Sequence, residues 1–392
     1  MKNRFEVIRS VAKRELNLVR NDINIIAIIL LAPLFYAFFL GTIFQNKIEH
    51  DVPVIVVDED GSVQSRDFIR RVDATQIISV QDVVTDFEIA KEKIYSTDAF
   101  GIVFIPRDYE TSLKAGRGST VKLYLNTCRF LVSNDINKAV NEVTFSIGKD
   151  VRLRYFEMRG YGFDQAKEIV EPLRDNLYLL FNPIESYGDF LLPAVLVLIL
   201  QQTLLFGLAG SVAREREEQT LAQLWQLSDR DATALIIGKG MYYFFLFAAY
   251  ALFFYVVTYS VLGIRFNGNA LAMVLLTLLF LVTVIFYTFI IASFFKSKLV
   301  SIQFLTVTSY PIFLLSGISW PMVAMPMPMQ MLAQFLPSTP YMNAVVRITQ
   351  MGAGWQHIYG ELIHIIVLLT AGFLLAKWRM KSLLSKLSQV TG

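Results

Sequence analysis

Six apolar runs of about 20 residues or more interrupt this sequence, each long enough to cross the ~30 Å hydrocarbon core of a bilayer as a helix. Lipid offers no water to the backbone, so a spanning segment must satisfy its own hydrogen bonds, as a helix does. With 54% hydrophobic and 18% charged residues, the chain is too apolar for an ordinary soluble protein. We therefore predict an α-helical membrane protein with six transmembrane helices, at residues 23–44, 187–212, 240–263, 270–294, 299–319 and 358–376.

The stretch between the first two spans, residues 45–184, has the composition of a soluble domain. Valine-rich runs such as Val52–Asp58 alternate with segments of helical period, which predicts a mixed α/β domain. Asp58-Glu59-Asp60 could bind a ligand, but acidic residues before a glycine are also ordinary turn chemistry. With three histidines and one cysteine in the chain, no metal site of standard spacing is predicted.

Basic residues near the spans indicate the orientation, because Lys and Arg beside membrane helices remain preferentially in the cytoplasm. If the N-terminus is inside, only Arg265 and Arg347 of these residues face outward. We therefore predict cytoplasmic termini and an inserted extracytoplasmic mixed α/β domain between helices 1 and 2. The basic side would face anionic headgroups of the lipid bilayer, and nothing in this pattern calls for nucleic acid.

The N-terminal segment, residues 1–22, has apolar residues at helical spacing, namely Phe5, Ile8, Ala12, Leu16 and Val19, with basic residues between them. This pattern predicts an amphipathic helix that lies in the membrane interface. The alternative is an ordinary soluble cap helix. Residues 23–44 then form the first span, and 185–392 contain the other five.

A run of alternating charge, residues 214–218, follows the second span directly. Leu221, Leu224 and Trp225 come next at helical spacing, which predicts a short amphipathic helix with an apolar face for a partner. The alternative is a solvated charged loop, in which these apolar side chains would be exposed at a cost. We refer to residues 214–221 as the Arg-Glu segment and place them in a cytoplasmic loop at 213–239.

Prolines punctuate the apolar stretch between the fifth and sixth spans, so residues 320–345 cannot form one continuous helix. Broken backbone at membrane depth survives only where protein or a water-lined cavity satisfies it. We predict two short re-entrant helices that line or gate an exit; the alternative is a surface loop whose methionines dip into the outer leaflet. The candidate exit residues are Gly317, Trp320, Pro321, Pro337, Pro340 and Tyr341.

Ionisable residues in or beside spans are candidates for function. Arg347 can pair with one of the nearby carboxylates, and such an ion pair can equally serve only to hold helices together. The set comprises Glu185, Asp189, Arg347, Glu361 and His364.

The Arg-Glu segment resembles the Arg-Glu-Arg-Glu-Glu-Gly-Thr-Leu signature of permeases of ABC exporters of the second type. Residues 316–322, Ser-Gly-Ile-Ser-Trp-Pro-Met, and 336–341, Leu-Pro-Ser-Thr-Pro-Tyr, are similar to the segment before that family's last helix. The chain departs from the signature at Gln219, where the family usually has glycine, and residues 228–231 replace a turn that commonly contains proline. The resemblance implies ATPase-coupling roles for Arg214, Glu215, Arg216, Glu217, Glu218, Thr220, Leu221 and Leu224.

The resemblance further implies that two permeases associate, as identical chains or paralogues, and that each binds a cytoplasmic ABC ATPase subunit. No P-loop occurs in this sequence, since Gly238-Lys239 has Thr233 where the first glycine belongs. ATP and Mg are therefore expected in the partner ATPase, with no cofactor and no catalytic residue in this chain. The expected location is a bacterial inner membrane, with a periplasmic adaptor as a further candidate partner.

Three functions follow from these patterns. The first is export of a small apolar or amphipathic compound, drug-like or lipid-like, out of the cytoplasm or inner membrane. The second is a membrane-anchored ligand-binding or envelope scaffold protein, for which six spans are more than an anchor needs. The third is an intramembrane enzyme, which would require Glu361, His364 and Asp189 to converge on one cavity.

Overall fold

The computed structural model describes residues 4–44, 49–96, 99–173 and 177–390, with side chains to residue 385. The chain divides into two compact units. One comprises Ile48–Leu179, and the other combines the N-terminal residues to Lys47 with Leu180–Gly392.

Two helices open the larger unit. Helix α1 spans Arg4–Arg20, and helix α2, the first candidate membrane span, runs over Ile23–Ile43. Asp22 separates them and begins α2, because its carboxylate accepts hydrogen bonds from the backbone N–H groups of Asn24 and Ile25.

The smaller unit alternates strands and helices. Its strands are β1 (Val52–Asp58), β2 (Ile78–Val84), β3 (Gly101–Ile105) and β4 (Lys122–Leu125). Its helices are α3 (Val63–Asp73), α4 (Phe87–Ser96), α5 (Tyr109–Lys114), α6 (Phe130–Met158) and α7 (Phe163–Val170).

The four strands form one mixed sheet in the order β2-β1-β3-β4. β1 pairs in parallel with β2 and β3, and β3 pairs antiparallel with β4. Alternate residues of β1 enter two separate apolar cores, Val54 and Val56 in one, Ile55 and Val57 in the other. Burial on both faces explains why β1 reads as a continuous apolar run, and the predicted mixed α/β pattern is present.

The acidic residues after β1 form a turn. One carboxylate oxygen of Asp58 accepts from the N–H groups of Asp60 and Gly61, at 3.0 Å each, and the other accepts from Ser65 Oγ at 2.7 Å. Gly61 adopts φ +59°, which favours glycine. No group of three or more metal-ligating side chains is found among the described residues.

The rest of the larger unit is helical, and six helices of the described chain are long and apolar enough to cross a membrane, as predicted. They are α2, α8 (Tyr187–Glu217), α10 (Ala232–Val261), α11 (Ala270–Ala292), α12 (Lys298–Leu315) and α15 (Trp355–Val390). Three helices between them are too short to span: α9 (Leu221–Leu227), α13 (Met327–Gln334) and α14 (Ser338–Thr349).

Helix α8 is the centre of the bundle. It packs against α2, α10, α11, α12 and α14, and it is the most buried of the six candidate spans. A side chain at Gly207 would collide with Ile29, so this glycine permits α2 to approach α8 closely.

The predicted loop at 213–239 is wrong in extent. Helix α8 continues to Glu217 and α10 already begins at Ala232, with α9 between them, so only residues 218–220 and 228–231 lie outside helices. The reason is that the charged side chains here are paired inside the bundle, so they do not require an irregular solvated loop.

Candidate functional site

Helix α1 packs on α10 through one row of residues four apart, Val7, Val11, Glu15 and Val19, all buried. A side chain at Gly238 of α10 would collide with Val11 and with the backbone of Ile8, so the glycine permits this close contact. Of the apolar residues singled out in the sequence, Val19 belongs to this packing row, whereas Phe5 and Leu16 are exposed. Their predicted place in the membrane interface stays a prediction.

Docking of α1 carries Glu15 into the bundle, where it meets Lys239 of α10 and Glu215 of α8. These three residues are at most 2% exposed. Lys239 Nζ contacts Glu15 Oε2 and lies 3.4 Å from Glu215 Oε1. Arg14 donates hydrogen bonds to Glu215 through both Nη atoms, and Nη2 lies 3.0 Å from Oε2. We call these four residues the charge cluster; two cations offset two carboxylates.

Neutral groups complete the charge cluster. Ser211 Oγ and Tyr243 Oη donate to Glu15 Oε1 at 2.6 and 3.0 Å. Thr220 Oγ1, just before α9, donates to Glu215 Oε2 at 2.5 Å. A buried ion pair is tolerable only when its remaining hydrogen-bonding capacity is met, and removing one partner then costs about 3–5 kcal/mol.

Asp22 forms a second junction beside the charge cluster. Its Oδ2 accepts from Arg214 of α8 at 3.0 Å and from Lys298 of α12 at 2.7 Å. Burial acts to raise the pKa of Asp22, but the hydrogen bond and charge of Lys298, the N–H of Ile25 and the charge of Arg214 prevail and lower it below its usual value.

The other charges of the Arg-Glu segment bind the ends of neighbouring helices. Arg216 Nη1 donates to the carbonyls of Ser293 and Phe295, just beyond α11, at 2.7 Å each. Glu217 Oε2 accepts from the N–H of Lys298 at the start of α12, at 2.9 Å. Glu218 pairs with Arg214 one turn back, at 2.6 Å. The segment therefore joins α8 to the neighbouring helices.

Helix α9 does not offer the apolar face that was predicted for a partner. Leu221 and Leu224 are both buried, because α9 packs against α1, α10 and α15 of the same chain. The surface left open on and around α9 is polar instead. Its exposed residues are Glu217, Glu218, Gln219, Gln223, Gln226, Asp229 and Arg230.

The two departures from the family signature both fall on left-handed backbone. Gln219 has φ +58° at the end of α8, the conformation for which glycine is favoured. Asp229 and Arg230 have φ +54° and +57° between α9 and α10, and Asp231 then caps α10 by accepting from Thr233 N at 2.8 Å.

A cleft of about 700 Å³ opens at the other end of the bundle, where α8 begins. It lies between the end of α12, helices α13 and α14 and the start of α15. It brings together residues from two of the predicted groups. These are Gly317, Pro321 and Pro340 of the exit segment, and Arg347, Glu361 and His364 of the polar candidates.

The polar residues of the cleft contact one another across helices. Arg347 Nη1 of α14 lies 3.4 Å from Glu361 Oε1 of α15 and donates to the carbonyl of His357 at 3.1 Å. His364 Nε2 lies 2.8 Å from the carbonyl oxygen of Gln334, the last residue of α13. The expected pairing of Arg347 with a carboxylate is therefore present.

The remaining predicted residues lie elsewhere. Trp320 is exposed, and Pro337 immediately precedes α14. Tyr341 is fully buried; its ring stacks on Phe280 and its hydroxyl lies 2.7 Å from Thr277 Oγ1.

Two acidic candidates lie near the start of α8. Glu185 precedes that helix, and the backbone carbonyl of Asp189 accepts from the side chain of Gln350. Neither lines the cleft, so the convergence with Glu361 and His364 that an intramembrane enzyme needs is not seen there.

Sequence reasoning missed Glu15 as a functional candidate and treated Lys239 as a loop residue. A signal was present: Glu15 occupies the same four-residue row as Val7, Val11 and Val19, so an acid shares the apolar face of α1. Lys239 lies well inside an otherwise apolar helix, where an ionisable side chain needs a partner.

Comparison with known proteins agrees with this architecture. Residues 24–377 match the family described as ABC-2 family transporter protein. The chain is also similar to the linearmycin resistance permease protein LnrN of Bacillus subtilis (strain 168), with 23% identity over 364 residues, which cover 88% of this chain and 92% of that protein. Because the family match extends over most of the sequence, from the first candidate span into the last, this chain belongs to the ABC-2 family of transporter proteins.

Proposed function

We propose that this chain is the permease of an ATP-driven exporter, with the charge cluster at its cytoplasmic end and the α/β unit outside the cytoplasm. A bacterial inner membrane is the proposed location, since the relative is a bacterial permease. The proposed cargo is a small apolar or amphipathic compound, and the name of the relative, a linearmycin resistance permease, supports the direction of export. A second permease completes the transporter, and a periplasmic adaptor is a further candidate partner.

The charge cluster is the observation that carries the proposal. Glu215 belongs to the Arg-Glu segment and is held at once by Arg14 of α1, Lys239 of α10 and Thr220 before α9. A displacement of α9 pulls on Glu215 through Thr220, and moving that carboxylate away from Arg14 and Lys239 would leave charges unpaired, which is costly. Movement of α9 would therefore be passed to α1, α8 and α10 together.

The cytoplasmic ATPase subunit would supply that displacement and would use ATP and Mg in its own active site. In this assignment the ATPase contacts the polar exposed residues around α9, such as Gln223 and Gln226. Glu215, Leu221 and Leu224 then act as positioning residues, since they are buried within this chain.

The test is ATP hydrolysis by the purified chain and its partner ATPase, assembled in lipid nanodiscs. We expect activity only from the assembly. Thr220→Val removes the hydrogen bond to Glu215 at nearly constant volume and should lower the permease-dependent rate by about tenfold, the effect of ~1.4 kcal/mol.

Thr306→Val provides the matched control, because Thr306 is exposed on α12 and bonds only within its own helix at 2.9 Å. Equal rates for the two variants would refute the coupling role of the Arg-Glu segment. Failure of every candidate ATPase to associate would favour a membrane-anchored ligand-binding or scaffold protein instead.

A further inference from the structure

We infer that the cleft at the start of α15 binds the anionic headgroup, carboxylate or phosphate, of an amphipathic molecule. This inference deepens the proposed function, since it names the chemical class that an export permease would hold at this end of the bundle. It rests on the charge, the exposure and the apolar surroundings of the cleft.

Charge is the first argument. Arg347 and Glu361 are the charged residues among those that line the cleft within the described chain. The side chain of Arg347 is 49% exposed, whereas that of Glu361 is 17% exposed. The guanidinium is therefore the charge that an incoming molecule meets first.

Only some of the hydrogen-bond donors of the Arg347 guanidinium have a partner in the described chain. Both of its described contacts, to Glu361 and to the carbonyl of His357, employ Nη1. The 3.4 Å separation from Glu361 is also longer than the 2.7–2.9 Å of a strong charge-assisted hydrogen bond. The Nε and Nη2 groups form the forked edge that matches a carboxylate or phosphate, and no partner for them occurs in the described chain.

Thr339 adds an independent observation. It lines the same cleft and is 3% exposed, yet its hydroxyl has no hydrogen-bond partner in the part of the chain that the structure describes. A buried hydroxyl without a partner is costly. A polar group of a bound molecule that reaches this part of the cleft would satisfy it.

The apolar surroundings indicate the rest of the molecule. Tyr359 lines the cleft, and Ile363 and Val367 continue its row along α15 at four-residue spacing. These three side chains are exposed by 63%, 56% and 58%. A headgroup at Arg347 would place an alkyl tail along this row, where it buries apolar surface on both partners.

Direct binding to the purified full-length chain in detergent tests the inference without the ATPase. The probe is the fluorescent fatty acid 11-(dansylamino)undecanoic acid, compared with its uncharged methyl ester. We expect the acid to bind at least about tenfold more tightly than the ester, the effect expected from one charge-assisted hydrogen bond. Arg347→Gln should abolish that preference, and dodecyl phosphate should displace the acid where dodecanol does not.

Two further variants distinguish a specific effect of Arg347 from general damage to the protein. Arg265→Gln removes an exposed arginine outside the cleft and should leave the preference intact. Glu361→Gln removes the competing carboxylate and should tighten binding of the acid several-fold, a gain that misfolding cannot produce. Equal affinity for acid and ester, or equal effects of Arg347→Gln and Arg265→Gln, would overturn the inference.

Such a headgroup could come from a membrane lipid or from an exported compound. Binding measured in nanodiscs with and without phosphatidylglycerol distinguishes these two sources. If membrane lipid fills the cleft, phosphatidylglycerol lowers probe affinity in the wild type and has no effect in Arg347→Gln. If an exported compound fills it, probe affinity is the same in both lipids. A chain that binds the acid selectively but never stimulates an ATPase would retain this inference while the proposed function fails.

Discussion

Individual charged residues inside this bundle act as connectors between helices. Glu15, Glu215 and Lys239 are nearly inaccessible, and each is contacted by side chains from at least one other helix. A buried charge without a partner is far more costly than one at a surface. The charge cluster therefore stabilises one docked position of α1 more specifically than the valines beside it could.

Lys239→Met should destabilise the folded chain by about 3–5 kcal/mol, because it leaves two buried carboxylates opposite one arginine. The double variant Glu15→Gln, Lys239→Met removes one charge of each sign and should recover part of that loss. Thermal unfolding in detergent measures both. Lys296→Met, at an exposed site, is the control, and an equally small effect at Lys239 and Lys296 would contradict the assignment.

Asp22 should make stability depend on pH. Because its pKa is lowered in the folded chain, the stabilisation is present at neutral pH and is lost as the pH falls through about 4 and below, where the carboxyl becomes protonated. The difference in melting temperature between wild type and Asp22→Asn should be largest near pH 7 and should shrink in acid. A constant difference from pH 7 to pH 3 would show that Asp22 contributes no charge-dependent stability.

Hydropathy predicted the membrane elements well and the charge cluster poorly, for a physical reason. The length of an apolar run is set by bilayer thickness, so the span at 270–294 closely matches α11. The partner of Lys239 is 224 residues away at Glu15, and no local pattern encodes a contact over that separation. The same holds for Arg347 and Glu361: the sequence indicated that Arg347 can pair with a carboxylate, but not which one.

At the scale of elements, many of the charged contacts of the larger unit lie at helix ends. The Arg-Glu segment ends α8, Asp22 precedes α2, and the carbonyls just beyond α11 accept from Arg216. Orphan backbone groups at helix ends need partners, so these positions are natural anchors for charged side chains. The junction of α8 and α9 is the clearest case.

Gln219→Gly should raise the free energy of unfolding by up to about 1 kcal/mol, since glycine relieves the left-handed backbone at φ +58° while adding some unfolded-state entropy. Gln219→Ala keeps the Cβ atom and is the matched control, with no gain expected. Chemical denaturation of both variants in the same detergent measures the change. A gain that appears equally in the alanine variant would place its origin in the side chain rather than the backbone.

At the scale of the whole molecule, the two compact units have separate cores. The smaller unit buries Val54, Val56 and Phe68 on one side of its sheet, and Ile55 and Ile102 on the other. A sheet covered on both faces by its own helices has the features of an independent domain.

Residues 49–179, expressed without the membrane helices, should therefore yield a soluble fragment that unfolds in one cooperative thermal transition. Val103→Asp, which places a carboxylate in the larger of its two cores, should abolish that transition. Val63→Asp is the control, because Val63 is exposed at the start of α3. A broad transition in the wild-type fragment would indicate that this unit depends on the rest of the chain.

Docking of α1 against α10 also has a consequence for biosynthesis. Glu15 emerges from the ribosome early, but Lys239 follows 224 residues later, roughly 10 to 45 seconds at a translation rate of ~5–20 residues per second. Until then α1 has an acidic side chain on its apolar face and no cation from α10 to receive it. The first helix of the nascent chain remains without this contact through that interval, and a product that stops short of α10 would leave Glu15 and Glu215 without their lysine.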